Sequence, residues 1–452
     1  MNNRYSANTI DLPDMISRVR QNQIKFSSIK HFSGRSILKG GLLVDPKNQI
    51  QGVRDIAFLD KHIVAISGEI KPEHGDAVYI LDGLHVWPGL VDMHLHLGDL
   101  FEVTTNPIFA GVADGVTVGL SPGAGNTFMA PALLGAEVDR GIPMNVGVYL
   151  GALNVMGTML DLDELVLLFK GELDKEIAFS KMTRNPITYL TAPLIIGIKD
   201  HIGHWLISND HLENIFELTK RAGLVFMSHT QDPDHAEKLA ALSNGRYFHL
   251  AHATAAGCGT HADPIEGMSR IIELVKQAHI SAEFVTSMLR KGGGNREGLI
   301  MPVKAQEVAY QALEQGFVNV LISDGQGDAT MKGFGDSRDN VPCIFELVEM
   351  GILPLLKAVA TMTANPVRLL GKLTQESWWV DKLGNLGIGA YANITVVDPN
   401  TKRAIYTFVN GQLAAFENRI VRKANGAGEW ICKFGVIPRL GIGDISAYKI
   451  FC

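Results

Sequence analysis

At 452 residues the chain is about three times the ~150 that serves one domain, so a large body with a smaller one beside it is expected. Its 46% hydrophobic and 19% charged residues place it among chains that fold, away from the disordered class. A formal net charge of -6 offers no basic field for a phosphate backbone, which argues against nucleic acid and for a small-molecule partner.

Residues 1–35 mix charged and polar side chains with isolated Ile, Leu and Phe and read as an N-terminal arm. They lack the apolar core of a secretory signal, and no later apolar run is long enough to span a bilayer, so a cytoplasmic protein off the membrane is expected. Cys258, Cys343, Cys432 and Cys452 are widely spaced, with no CxxC pair, as reduced thiols would be. From residue 36 the text becomes short β-like runs, ILKGGLLV, DIAFLD, HIVAISG and AVYILDG, broken by turn signals. The same texture returns in NITVVD, RAIYTFVNGQ and ENRIVRKANG, so 36–87 and 384–426 are expected to share one small β-sandwich domain with residues 88–383 inserted between them. Residues 427–452 form a C-terminal extension apolar enough to pack, a neighbouring subunit being one candidate surface.

The insertion alternates eight apolar runs, LVDMHLH, VTVGLS, NVGVYLG, IIGIK, LVFMSHT, RYFHLAHAT, ISAEFV and VNVLISD, with amphipathic stretches such as HLENIFELTKRA, EGMSRIIELVKQA and VKAQEVAYQALEQG. That number over that length predicts a (β/α)8 TIM barrel. Within it, Pro88-Gly-Leu-Val-Asp-Met-His-Leu-His96 is the most informative text. If this run is a strand, His94 and His96 project from one face with Asp92, a pairing suited to a metal. Lys199, His229, His252 and Asp324 fall at the ends of later runs, where barrel enzymes place their chemistry. Imidazole and carboxylate donors together suit a divalent ion, zinc first, with manganese or iron as alternatives. His249, His201 and His204 compete for the same neighbourhood, and His252 is preferred over His249 because it lies nearer the expected strand end.

PGLVDMHLH resembles the signature of the amidohydrolase superfamily, metal-dependent hydrolases on a distorted (β/α)8 barrel, and the order HxH, Lys, His, His, Asp extends the likeness over residues 88–324. Within that superfamily the chain is most similar to the dihydroorotase, hydantoinase and isoaspartyl dipeptidase group. The resemblance implies two divalent ions: His94, His96 and Asp324 on the more buried, His229 and His252 on the more exposed, and Lys199 bridging them as a carbamate formed with carbon dioxide. It further implies hydrolysis of a C–N amide bond in a cyclic amide, N-acyl compound or small dipeptide, by a metal-bridging hydroxide with Asp324 as general base and then acid. Arg290 and Arg296, beyond ISAEFV, and Arg338, in the loop after Asp324, are candidate clamps for a substrate carboxylate or imide oxygen. A mononuclear hydrolytic deaminase and a non-catalytic barrel scaffold are the competing readings. The group often forms dimers or tetramers, so a homo-oligomer is expected.

Overall fold

The computed structural model describes residues 34–97, 106–123, 126–182, 186–201, 206–292, 300–325, 334–421 and 426–441. The first of these segments opens in β-structure: β1 (Ser36–Asp45), β2 (Ile50–Leu59), β3 (His62–Ser67), β4 (Ala77–Ile80) and β5 (His85–Pro88). β2 runs antiparallel to β1 and to β3, through turns in which Gln49 and Asp60 adopt left-handed backbone, while β4 and β5 lie parallel to β1.

The chain then enters the barrel strands β6 (Leu90–Asp92), β7 (Val116–Ser121), β8 (Asn145–Gly151), β9 (Gly197–Asp200), β10 (Val225–His229), β11 (Phe248–Ala251), β12 (Ile280–Val285) and β13 (Val320–Ile322). Each pairs in parallel with the next. β7 and β8 are buried at every position, the continuous apolar run that a strand covered on both faces requires. The seam between β13 and β6 is closed just past the strand ends. Leu95 bridges Gly325, the His96 N–H donates to the Gly325 carbonyl at 3.0 Å, and the Asp92 carboxylate accepts the Ser323 N–H at 3.2 Å. Asp92 therefore replaces a missing rung of the ladder. The amphipathic stretches form helices Asn209–Ala222, Pro264–Val275 and Val303–Glu314. The first begins on Ser208, whose Oγ accepts the His211 N–H, and ends at left-handed Gly223; the second begins on the Asp263 carboxylate.

The late strands β14 (Ile394–Asp398), β15 (Arg403–Val409), β16 (Gln412–Phe416) and β17 (Arg419–Ile420) return to the first sheet, because β14 pairs antiparallel with β5, Thr395 opposite Trp87. In a flat sheet β2 and β15, four spacings apart, would lie about 19 Å from each other. The rings of Phe58 and Phe408 on those strands are instead 5.3 Å apart, so the sheet folds over into a sandwich around Leu38, Ile56, Val86, Ile394 and Val396. Asn145, at the start of β8, ties sandwich to barrel: its Oδ1 accepts from Asn410 Nδ2 at 2.7 Å and its Nδ2 donates to Asn393 Oδ1 at 3.3 Å.

Part of the C-terminal extension packs on the chain's own barrel. β18 (Trp430–Cys432) and β19 (Gly435–Ile437) form a hairpin in which Trp430 pairs with Val146 at the start of β8. Trp430 Nε1 donates to the Leu194 carbonyl at 2.9 Å, and the Lys433 ammonium donates to the Ala222 carbonyl. Leu194 and Ala222 precede β9 and β10, so the hairpin covers the barrel's N-terminal face, opposite the strand ends that carry the candidate donors.

Beside helix Asn106–Ala113, Asp114 accepts a 2.6 Å hydrogen bond from Ser337 Oγ. Burial, opposed by that bond and reinforced by Asp336, pushes its carboxyl from the usual 3.8 up to about 7. The folded chain thus keeps this proton where the unfolded chain has released it, and the stability contributed is full below the unfolded pKa and lost as pH rises toward 7. Asp114→Asn, which mimics the protonated form, should melt above the wild type at pH 8 and together with it at pH 4; equal melting at both would contradict the assignment.

Candidate metal centre

The short β6 ends at Asp92, so His94 and His96 lie beyond the strand instead of within it. They still converge, because the Leu95 bridge to Gly325 keeps the segment extended, and their rings are 5.3 Å apart. Lys199 projects from β9, His229 closes β10, His252 follows β11 and Asp324 follows β13 by two residues. His252 and Asp324 both take left-handed backbone, φ 38° and 50°, a strain that L-residues carry mostly at functional sites.

The geometry draws these side chains together. Asp324 Oδ1 lies 3.0 Å from His94 Nε2 and 3.2 Å from His96 Nε2, and Lys199 Nζ lies 2.9 Å from the same His94 nitrogen. The donor atoms of His94, His96 and Asp324 fall within 4.8 Å of one another. The His252 ring sits 4.9 Å from that of His94 and 4.5 Å from that of His229, and His201 packs on His229 at 4.8 Å. Lys199 is only 1% exposed.

Protonation follows from these contacts. His94 Nδ1 stands 2.5 Å from Glu283 Oε1, an acceptor when ionised, so Nδ1 carries a proton and Nε2 is the nitrogen turned toward Lys199 and Asp324. Nε2 faces the carboxylate Asp324 Oδ1, an acceptor, and the meeting is favourable with a proton or a metal cation between them. Burial works to protonate Asp324, but His94 and the hydrogen bond of His96 outweigh it and hold the carboxyl well below its usual range. Burial, with His229 adjacent, holds His252 well below the usual histidine range; its ring is neutral, the form that ligates metals, and its buried Nδ1 makes no hydrogen bond among the described residues. The donor chemistry therefore fits a divalent metal.

Other expectations change. His249 is turned to Glu283 Oε2 at 3.0 Å and to Ser281 Oγ at 2.9 Å, which makes it a partner of Glu283 and not a rival ligand. Arg290 is engaged by Glu346, with contacts of 2.8 and 2.9 Å, and by Asp339, so its guanidinium anchors the loop after β12 where a substrate clamp was expected. Arg338 is largely exposed and holds Asp336 of its own turn at 2.6 Å, again a local contact in place of a clamp. Arg296 and His204 lie outside the described residues. Two groups were missed. Glu283 is a lone carboxylate in the apolar run ISAEFV, a signal that was available because a charge inside such a strand needs a partner. Phe334 places its ring 4.9 Å from His252 and donates its N–H to Asp324 Oδ2 at 2.5 Å; nothing in its sequence context marks it.

A sequence profile of the amidohydrolase family matches residues 85–421. The chain belongs to this family. A dihydroorotase from Geobacter sp. (strain M21) is 21% identical to this amidohydrolase over 437 residues, covering 83% of this chain and 98% of its own. One from Acetivibrio thermocellus is 24% identical, covering 80% and 89%. A D-hydantoinase structure superposes with a TM-score of 0.66 at 17% identity, over 89% of this amidohydrolase and 100% of that chain. A β-aspartyl dipeptidase from Fervidobacterium islandicum AW-1 does so with 0.59 at 16%, over 86% and 99%. These structures share the barrel with its sandwich. No helix among the described residues is long and apolar enough to cross a membrane.

Proposed function

We propose that this amidohydrolase is a metal-dependent hydrolase of a C–N amide bond in a small cyclic amide. The convergence of His94, His96, Asp324 and Lys199 at the barrel mouth carries the reading, and dihydroorotase likeness over nearly the whole length of those relatives supports a ring amide as substrate. His94, His96 and Asp324 would hold one ion, and His229 with His252 a second, zinc being the best match to the donors. Lys199 would join the two as a carbamate, since an ammonium beside bound cations is repelled and an Nζ–CO₂⁻ group, formed from the ammonium and carbon dioxide with loss of two protons, is attracted. When bound, the ions supply Lewis acidity toward the carbonyl oxygen and a water acidic enough to attack near neutral pH.

The remaining work belongs to the chain. Asp324 is ionised, so it can take the proton of the attacking water and return it to the leaving nitrogen. Its Oδ2 is held by the Phe334 N–H, which leaves Oδ1 facing the histidines. The Phe334 ring packs beside His252 and His229, its centroid 4.9 Å from that of the first and 6.3 Å from that of the second.

Elemental analysis of protein purified without chelator tests the reading, alongside hydrolysis assays on dihydroorotate, dihydropyrimidines, hydantoins and β-aspartyl dipeptides. About two metals per chain are expected in the wild type and a clear loss in Lys199→Ala, together with its activity. About one metal, indifferent to that substitution, would replace the binuclear reading with a mononuclear one. A wild type that takes up none would end it.

A further inference from the structure

Glu283 has no assigned part in the chemistry above, yet it is fully buried and its carboxylate reaches both halves of the donor set. Oε1 faces His94 Nδ1 at 2.5 Å and accepts the backbone N–H of His252 at 3.2 Å; Oε2 faces His249 Nε2 at 3.0 Å, and His249 is held from behind by Ser281 Oγ at 2.9 Å. One oxygen thus fixes the ring of a candidate ligand from the end of β6 and the backbone of a candidate ligand after β11. The other oxygen is pinned from β11, so the carboxylate cannot rotate freely. No arginine or lysine contacts it among the described hydrogen bonds and ion pairs. An anion buried with only imidazole and amide donors is a costly arrangement for stability alone.

Resting on the metal-centre reading, we infer that Glu283 is a positioning residue that sets the tautomer and aim of His94, strengthens it as a donor through the charge-assisted bond, and couples it to His252. A partner behind a ligating histidine typically contributes about 10–100-fold in metal affinity.

The test uses the full chain, stripped of metal and titrated with zinc against a chromophoric chelator, with the cobalt-substituted visible spectrum as a second readout. Glu283→Leu fills the space but removes the acceptor, and Glu283→Gln keeps the shape and an acceptor but removes the charge. Zinc affinity should fall by about 100-fold in the first and about 10-fold in the second. The cobalt bands should shift in both, and the melting of metal-free Glu283→Gln should stay close to that of the wild type. A folded variant of either kind that binds zinc as tightly as the wild type overturns the inference; if Glu283→Leu does not fold, Glu283→Gln decides. Failure of the wild type to bind zinc would instead overturn the metal-centre reading itself, and the inference with it.

Discussion

Asp324→Asn should lower kcat for the best cyclic amide by about 10²–10⁴-fold while leaving KM within a few-fold and the fold intact. Asparagine keeps an oxygen where His94 and His96 converge, so it can still serve as a weak donor, while its amide nitrogen meets the Phe334 N–H donor to donor and loses that one hydrogen bond. It cannot accept a proton near neutral pH. The separation of kcat from KM distinguishes loss of a base from loss of substrate binding. A kcat within tenfold of the wild type, with metal content unchanged, would show that the proton goes elsewhere.

The second large effect is on stability and comes from the opposite face. Trp430 is fully buried, and Trp430→Ala removes its ring and leaves the Leu194 carbonyl without the indole donor. Losses for such truncations run to about 3–5 kcal/mol. The urea midpoint should drop accordingly, while kcat and KM of the still-folded protein at low temperature should match the wild type. A variant that unfolds with the wild type would mean that the hairpin does not brace the barrel.

The barrel, and the meeting of the candidate side chains at one rim, are legible because each signal is local. His94, His96, Lys199, His229, His252 and Asp324 all sit at the end of an apolar run, and in a parallel barrel those ends share one rim. What was not legible depends on side chains meeting across the fold. Nothing in MLRKGGG tells that Arg290 is satisfied by Glu346, 56 residues away. Glu283 stands out in ISAEFV, but only the closed barrel shows that its partners are His94 and His249. HxH reads as strand because period-two spacing is the same whether an extended segment is laddered or, as here, held by one bridge and the Asp92 carboxylate. The inward packing of the hairpin had no local signal, since a short apolar tail looks the same whatever it covers.

That hairpin, together with the divided sandwich, has a consequence for synthesis. The Asp45 carboxylate waits for the Leu386 N–H, 341 residues later, Asn145 for the Glu429 N–H, 284 later, and the Leu194 carbonyl for Trp430, 236 later. A chain emerging from the ribosome must therefore hold β1–β5 with an unpaired edge, and β8–β10 with an uncovered lower rim, until nearly all of the described sequence is out. Such long-range closure makes folding slow and leaves the nascent chain open to association through that edge. Chaperone dependence, and sharp intolerance of stop codons before residue 438, are the expected cellular signature.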